Sequence, residues 1–124
     1  MKIDGEVKTG LGKGAFFLSQ EFYKKEFDKN LGFIPYPGTL NIVVGEEYLD
    51  EITEIKNNCQ NLIKPDEGFG AVKYIEAKLN DKINGAIVFP AKTVHDENYL
   101  EFIAKCRLRD ELGLEDGDNV CLEF

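Results

Sequence analysis

The run Ala71-Val72-Lys73-Tyr74-Ile75-Glu76-Ala77-Lys78-Leu79, followed across Asn80-Asp81-Lys82-Ile83-Asn84 by Gly85-Ala86-Ile87-Val88-Phe89, decides the fold class of this sequence. Two apolar-rich runs flank a short stretch of turn formers, the pattern of antiparallel strands joined by a hairpin. The rest of the chain repeats that grain. Ile3, Gly5 and Val7 alternate with Asp4, Glu6 and Lys8, which predicts a strand with one buried face. Ala15 to Leu18 reads as a second short strand, and Thr39 to Val44 as a third, started by the rigid turn Pro35-Tyr36-Pro37-Gly38. Tyr99 to Ala104 fits strand or helix by pattern alone, and Asn119 to Phe124 closes the chain as a strand after the turn Asp116-Gly117-Asp118. Helices are few. Ser19 caps one through about Asn30, with Phe22, Tyr23, Phe27 and Leu31 on one face and Gly32 as its C′ residue. A second runs from Glu46 to about Asn57, and a short third from Leu108 to Leu112, ended by Gly113. Residues 58–70 show no clear period. Six or more short strands with two or three brief helices predict a mainly β, antiparallel barrel.

The composition bounds the function. A chain of 124 residues, 43% hydrophobic, makes one compact domain over residues 1–124, able to fold without disulfides or a structural metal. Fifteen Lys and Arg against twenty-three Asp and Glu give a formal net charge of −8, the wrong sign for a nucleic acid partner. Any anionic ligand is therefore captured locally. No apolar run approaches the roughly 18 to 20 residues of a membrane span. The start Met1-Lys2-Ile3-Asp4-Gly5 carries neither a signal-peptide core nor a basic presequence, so a soluble cytoplasmic protein is expected. Cys59, Cys106 and Cys121 are odd in number and never spaced as C-x-x-C, so they are expected as reduced thiols.

Four groups of residues carry candidate chemistry. Thr9-Gly10-Leu11-Gly12-Lys13-Gly14 is neither a Walker A motif nor a dinucleotide fingerprint, since no Lys-Ser/Thr pair follows it and a strand is expected after it. It is open to two readings, a plain turn or an anion nest of backbone N–H groups with Lys13 adding charge. Thr39 and Asn41, two apart on a strand, put a hydroxyl and an amide carbonyl on one face. They either satisfy the Pro-Gly turn or hold Mg²⁺, which takes a few protein oxygens and fills its shell with water and phosphate. Glu101, among Tyr99, Leu100, Phe102 and Ile103, is either a general base or the solvent-facing member of an amphipathic segment. Arg107 and Arg109 either grip phosphate or carboxylate or form structural ion pairs. His95 is the single histidine, which excludes a multi-histidine metal site and reads as a surface loop residue.

Taken in order, Gly10-Leu11-Gly12-Lys13-Gly14, then Pro35-Tyr36-Pro37-Gly38-Thr39-Leu40-Asn41, then Gly85-Ala86-Ile87-Val88-Phe89-Pro90-Ala91-Lys92-Thr93, then Leu108-Arg109-Asp110 with Leu114-Glu115-Asp116-Gly117-Asp118, resemble the archaeal CTP-dependent riboflavin kinase family. The resemblance covers roughly residues 5–123 and is weak between Gly45 and Gly70. It implies a six-stranded cradle-loop barrel that moves the terminal phosphate of CTP onto the ribityl 5′-hydroxyl of riboflavin, giving FMN and CDP. By the same match Leu11, Gly12, Lys13, Gly14, Ala15 and Phe16 form a nucleotide loop, with Cys106, Arg107, Leu108 and Arg109 as a second nucleotide segment. Thr39 and Asn41 hold one Mg²⁺, Thr93 and Glu101 meet the flavin, and Glu101 is the candidate base. The family often has Glu where this chain has Asp110, which is left out of the site. Some members carry an N-terminal winged-helix domain, whereas this chain starts directly at the barrel. A monomer binding only small molecules, with no nucleic acid or membrane partner, is expected. The alternatives are a non-catalytic flavin-nucleotide or phosphate-binding barrel, and a DNA-binding barrel of the transition-state-regulator type, which the charge disfavours.

Overall fold

The alternation of Ile3, Gly5 and Val7 with polar neighbours forms strand β1 (Lys2–Lys8), whose Ile3 and Val7 are buried. The computed structural model describes residues 1–9, 18–64, 70–90 and 98–124. Six further strands follow: β2 (Leu40–Val44), β3 (Leu62–Ile63), β4 (Val72–Leu79), β5 (Ile83–Pro90), β6 (Tyr99–Ile103) and β7 (Asn119–Glu123). The pairings run β4-β5-β6-β2-β1-β7, and β7 returns to β4, so six strands close a ring in which every pair is antiparallel. The barrel expected from the sequence is the fold observed. Tyr99–Ile103 resolves to a strand because it is the partner that both β2 and β5 need. β4 divides one edge between two neighbours: its start pairs with the two-residue β3, inside the stretch without a period, and its end pairs with β7.

The hairpin between β4 and β5 turns at Asn80 (φ 51°) and Asp81 (φ 56°), with Lys82 N donating to Leu79 O at 3.0 Å. Two successive left-handed residues make a type I′ turn, whose twist matches the flanking strands. On β5, Gly85 has a structural cause: a Cβ there would collide with the Ile103 carbonyl oxygen and the Phe102 ring.

Strand alternation sorts the apolar residues into two cores. Inward-facing Ile3, Val7, Ile42, Leu79, Phe102 and Leu122 fill the barrel, so its lumen is packed side chains rather than a binding cavity. Outward-facing Val72, Tyr74, Ala86, Val88 and Ile103 form a second core under helix α1 (Glu21–Leu31), which buries Tyr23 and Phe27 against them. The Phe27 and Tyr74 rings meet edge to face at 6.0 Å. Gly32, at φ 81°, ends α1 as expected, its N–H donating to Asp28 O. The start differs from expectation. The N-cap position is Gln20, with no side-chain cap bond, because Ser19 already lies in a preceding helical turn with Leu18. Leu18 is thus helical and fully buried, not extended; the remainder of the strand expected over 15–18 lies outside the described residues. A 3₁₀ turn (Glu46–Tyr48) leads into α2 (Leu49–Asn58), whose Ile52 joins the barrel core, as does Leu108 of α3 (Leu108–Glu111).

Candidate active site

Inward Leu40 and Ile42 leave Thr39 and Asn41 on the opposite, outer face of the barrel. The β2–β6 register sets Asn41 directly across from Glu101, flanked by the buried pairs Leu40–Phe102 and Ile42–Leu100. Thr39 Oγ1 donates to Glu101 Oε1 at 3.2 Å. A hydroxyl, an amide and, 62 residues beyond Thr39, a carboxylate therefore form one half-buried polar group. On its other side Glu101 pairs with Val88 of β5, at the edge of the apolar surface that α1 covers. The sequence expectation that Thr39 and Asn41 share a face is thus met, and the strand register adds Glu101 to them.

Beside this group lies a cleft of about 260 Å³ between the Tyr36–Leu40 segment and residues 104–109. The two walls are joined where Tyr36 N donates to Ala104 O at 2.8 Å. Thr39 lines the cleft together with Cys106, Arg107, Leu108 and Arg109, so the segment expected from the sequence to meet nucleotide shares one concavity with the Thr39–Glu101 pair. Tyr36 belongs to the same wall and was not singled out from the sequence; its place between two prolines was the only signal.

Both arginines form the ion pairs that were open to them. Arg107 Nη1 donates to both oxygens of Asp110, at 3.0 and 3.1 Å. Arg109 Nη2 donates to Asp116 Oδ1 at 2.6 Å, and the Thr9 hydroxyl donates to Asp116 Oδ2. Those two partners, Thr9 first and Arg109 second, hold the Asp116 carboxyl below its usual range despite a small opposing desolvation. Asp116, read from the sequence as part of a turn, thus contacts Arg109 of the cleft wall. The proposed glycine-segment residues Leu11, Gly12, Lys13, Gly14, Ala15 and Phe16, the flavin-site Thr93, and His95 lie outside the described residues.

The donor set suits Mg²⁺. Among the described residues no cluster of three or more His, Cys, Asp and Glu could cage a metal ion. Thr39 and Asn41 instead offer two neutral oxygens on an open face. That is the sparse protein contribution expected of an ion completed by water and phosphate oxygens.

Comparison with known proteins shows the family. The family model CTP-dep_RFKase, described as "Domain of unknown function DUF120", matches residues 7–124. The chain is 71% identical over 124 residues to riboflavin kinase of Methanobrevibacter smithii, covering 100% of both chains. It is 45% identical over 118 residues to riboflavin kinase of Methanothermobacter thermautotrophicus, covering 95% of this chain and 94% of the relative. To riboflavin kinase of Methanosphaera stadtmanae it is 41% identical over 132 residues, covering 100% and 98%. With a match over nearly its whole length and relatives this close, the chain belongs to the CTP-dependent riboflavin kinase family.

Proposed function

We propose that this chain transfers the terminal phosphate of CTP to the ribityl 5′-hydroxyl of riboflavin through the Thr39, Asn41 and Glu101 group. The observation that carries the site assignment is the double role of Thr39, which lines the cleft with Arg107 and Arg109 and bonds Glu101. A phosphate gripped from the cleft and an alcohol beside Glu101 then meet on one face of the barrel. Phosphoryl transfer asks a protein chiefly to align its reactants and neutralise charge.

In the reaction the 5′-oxygen forms a bond to the terminal phosphorus as the bond to the bridging oxygen breaks. The electron pair leaves on CDP, and the hydroxyl proton passes to Glu101. The Thr39 hydroxyl holds one Glu101 oxygen by its hydrogen bond and so orients the carboxylate. Thr39 and Asn41 would hold Mg²⁺, which when bound neutralises phosphate charge. Arg107 and Arg109 bring guanidinium groups to the cleft wall in an acidic chain. No helix among the described residues is long and apolar enough to cross a membrane, and the three cysteines are free.

Incubation with riboflavin, Mg²⁺ and each nucleoside triphosphate in turn, with FMN separated from riboflavin, tests the reaction. CTP should support FMN formation far better than ATP. Equal rates with ATP would remove the donor assignment, and binding of both ligands without FMN would point to a non-catalytic barrel.

A further inference from the structure

The turn Asp116-Gly117-Asp118 has no part in the mechanism above, yet it is fastened to the start of the chain by several independent bonds. Gly117 N donates to Val7 O at 2.8 Å and Val7 N donates to Asp118 O at 2.9 Å. Within the turn, Asp118 N donates to Glu115 O at 3.0 Å and Glu115 N to Asp118 Oδ2 at 2.8 Å, with Gly117 at φ 93°. Asp116 therefore projects from a backbone fixed to the end of β1. One of its carboxylate oxygens accepts from Thr9, the residue immediately before Gly10, and the other accepts from Arg109 in α3. Arg109 Nη2 also approaches Lys8 O at 3.5 Å.

We propose that Asp116 is a positioning residue for the nucleotide: its carboxylate, held on one oxygen by Thr9, fixes the Arg109 guanidinium at the wall of the cleft. The proposal rests on the functional reading above, in which Arg109 contacts CTP. Thr9, 107 positions before Asp116, and Arg109, 7 positions before it, meet at this one carboxylate. Side-chain exposures of 31% for Arg109 and 47% for Asp116 argue against a mainly structural purpose, since exposed ion pairs contribute little stability. What such a pair does supply is direction. A long arginine side chain has many rotamers, and a charge-assisted bond to a fixed acceptor selects one of them. Among the described residues the guanidinium is engaged through Nη2 alone, so its other N–H groups face a ligand from a set orientation.

The test compares Asp116→Asn, Asp116→Glu, Arg109→Lys and the double variant Asp116→Asn/Arg109→Lys. Steady-state kinetics with CTP and riboflavin is combined with calorimetric titration of CDP and with thermal melting. Asp116→Asn should raise the KM for CTP and the Kd for CDP about 10-fold, the scale of one charge-assisted bond. The riboflavin KM should stay within about twofold and the melting temperature should barely move. Asp116→Glu, which keeps the charge, should recover part of the loss. The double variant should be no worse than Arg109→Lys alone, because both changes break one linkage.

If Arg109→Lys weakens CDP but Asp116→Asn does not, the positioning role is overturned while the nucleotide site stands. Tighter CDP binding in Asp116→Asn would show that the carboxylate competes with phosphate for Arg109, also overturning the role. Unchanged CDP binding in Arg109→Lys would remove Arg109 from the nucleotide site and the proposal with it.

Discussion

Glu101 and Asn41 face each other across the β2–β6 pair, yet the reading gives them separable tasks. Glu101→Gln keeps the shape of the side chain and an oxygen for the Thr39 hydroxyl, so the local geometry survives. If Glu101 accepts the 5′-hydroxyl proton, turnover should fall about 10²- to 10⁴-fold with riboflavin affinity little changed. A loss of affinity with near-normal turnover at saturating riboflavin would make it a flavin contact only, since a dissociative transfer needs little help from a base. Asn41→Ala should instead raise the Mg²⁺ concentration for half-maximal rate about 10-fold or more, with the melting temperature nearly unchanged. A lower melting temperature with full activity would return Asn41 to capping the Pro-Gly turn.

Helix α1 is held on the outside of the barrel by aromatic packing and by a polar clasp, Tyr23 Oη donating to Gly70 O at 2.8 Å. Burial pushes the Tyr23 phenol above its ordinary value of 10.0. An acid whose folded pKa is raised stabilises the fold fully below the unfolded value. That contribution is lost as pH rises through the raised folded pKa, here above about 10. Tyr74, beneath the helix, is raised as well, first by burial and then by Glu76 and Cys59. Tyr23→Phe should cost about 0.5 to 1.5 kcal/mol near neutral pH through the lost hydrogen bond. Its urea midpoint should then fall less steeply than that of the parent chain between pH 9 and 11, because one of the two raised phenols is gone. An alkaline slope equal to the parent's would mean that Tyr23 titrates no differently when folded.

Closure of the barrel depends on a narrow seam. β4 and β7 pair only at Lys78–Glu123 and Leu79–Leu122, and Asn80 extends the contact from the hairpin turn. Its backbone N–H donates to Cys121 O at 2.8 Å, and its side-chain Oδ1 accepts from Cys121 N at 2.8 Å. Asn80→Gly keeps access to the left-handed backbone and removes only the side-chain acceptor. It should destabilise the chain by about 1 to 2 kcal/mol and speed hydrogen exchange at the Cys121 amide more than at amides of the β4–β5 ladder. Uniform acceleration across the sheet would show that the seam opens only with global unfolding.

The physical basis of what could be read in advance is periodicity. Ile3 and Val7, Leu40 and Ile42, and the two arms around Asn80 alternate because a barrel strand has a packed face and a solvent face; the class of fold follows from the sequence alone. Thr39 and Asn41 share a face for the same local reason, and Gly32 ends α1 because a left-handed residue is needed there. Tertiary structure decided what depends on distant partners. Tyr99–Ile103 became a strand through β2 and β5, and Leu62–Ile63 paired because β4 leaves an edge open before β7 begins. The register carried Glu101 to Asn41, the packed lumen put the polar group on the outer face, and the turn at Asp116 met Thr9 and Arg109. Local patterns specify which way a side chain points, whereas its partner is specified only when the ring closes and brings distant strand ends together.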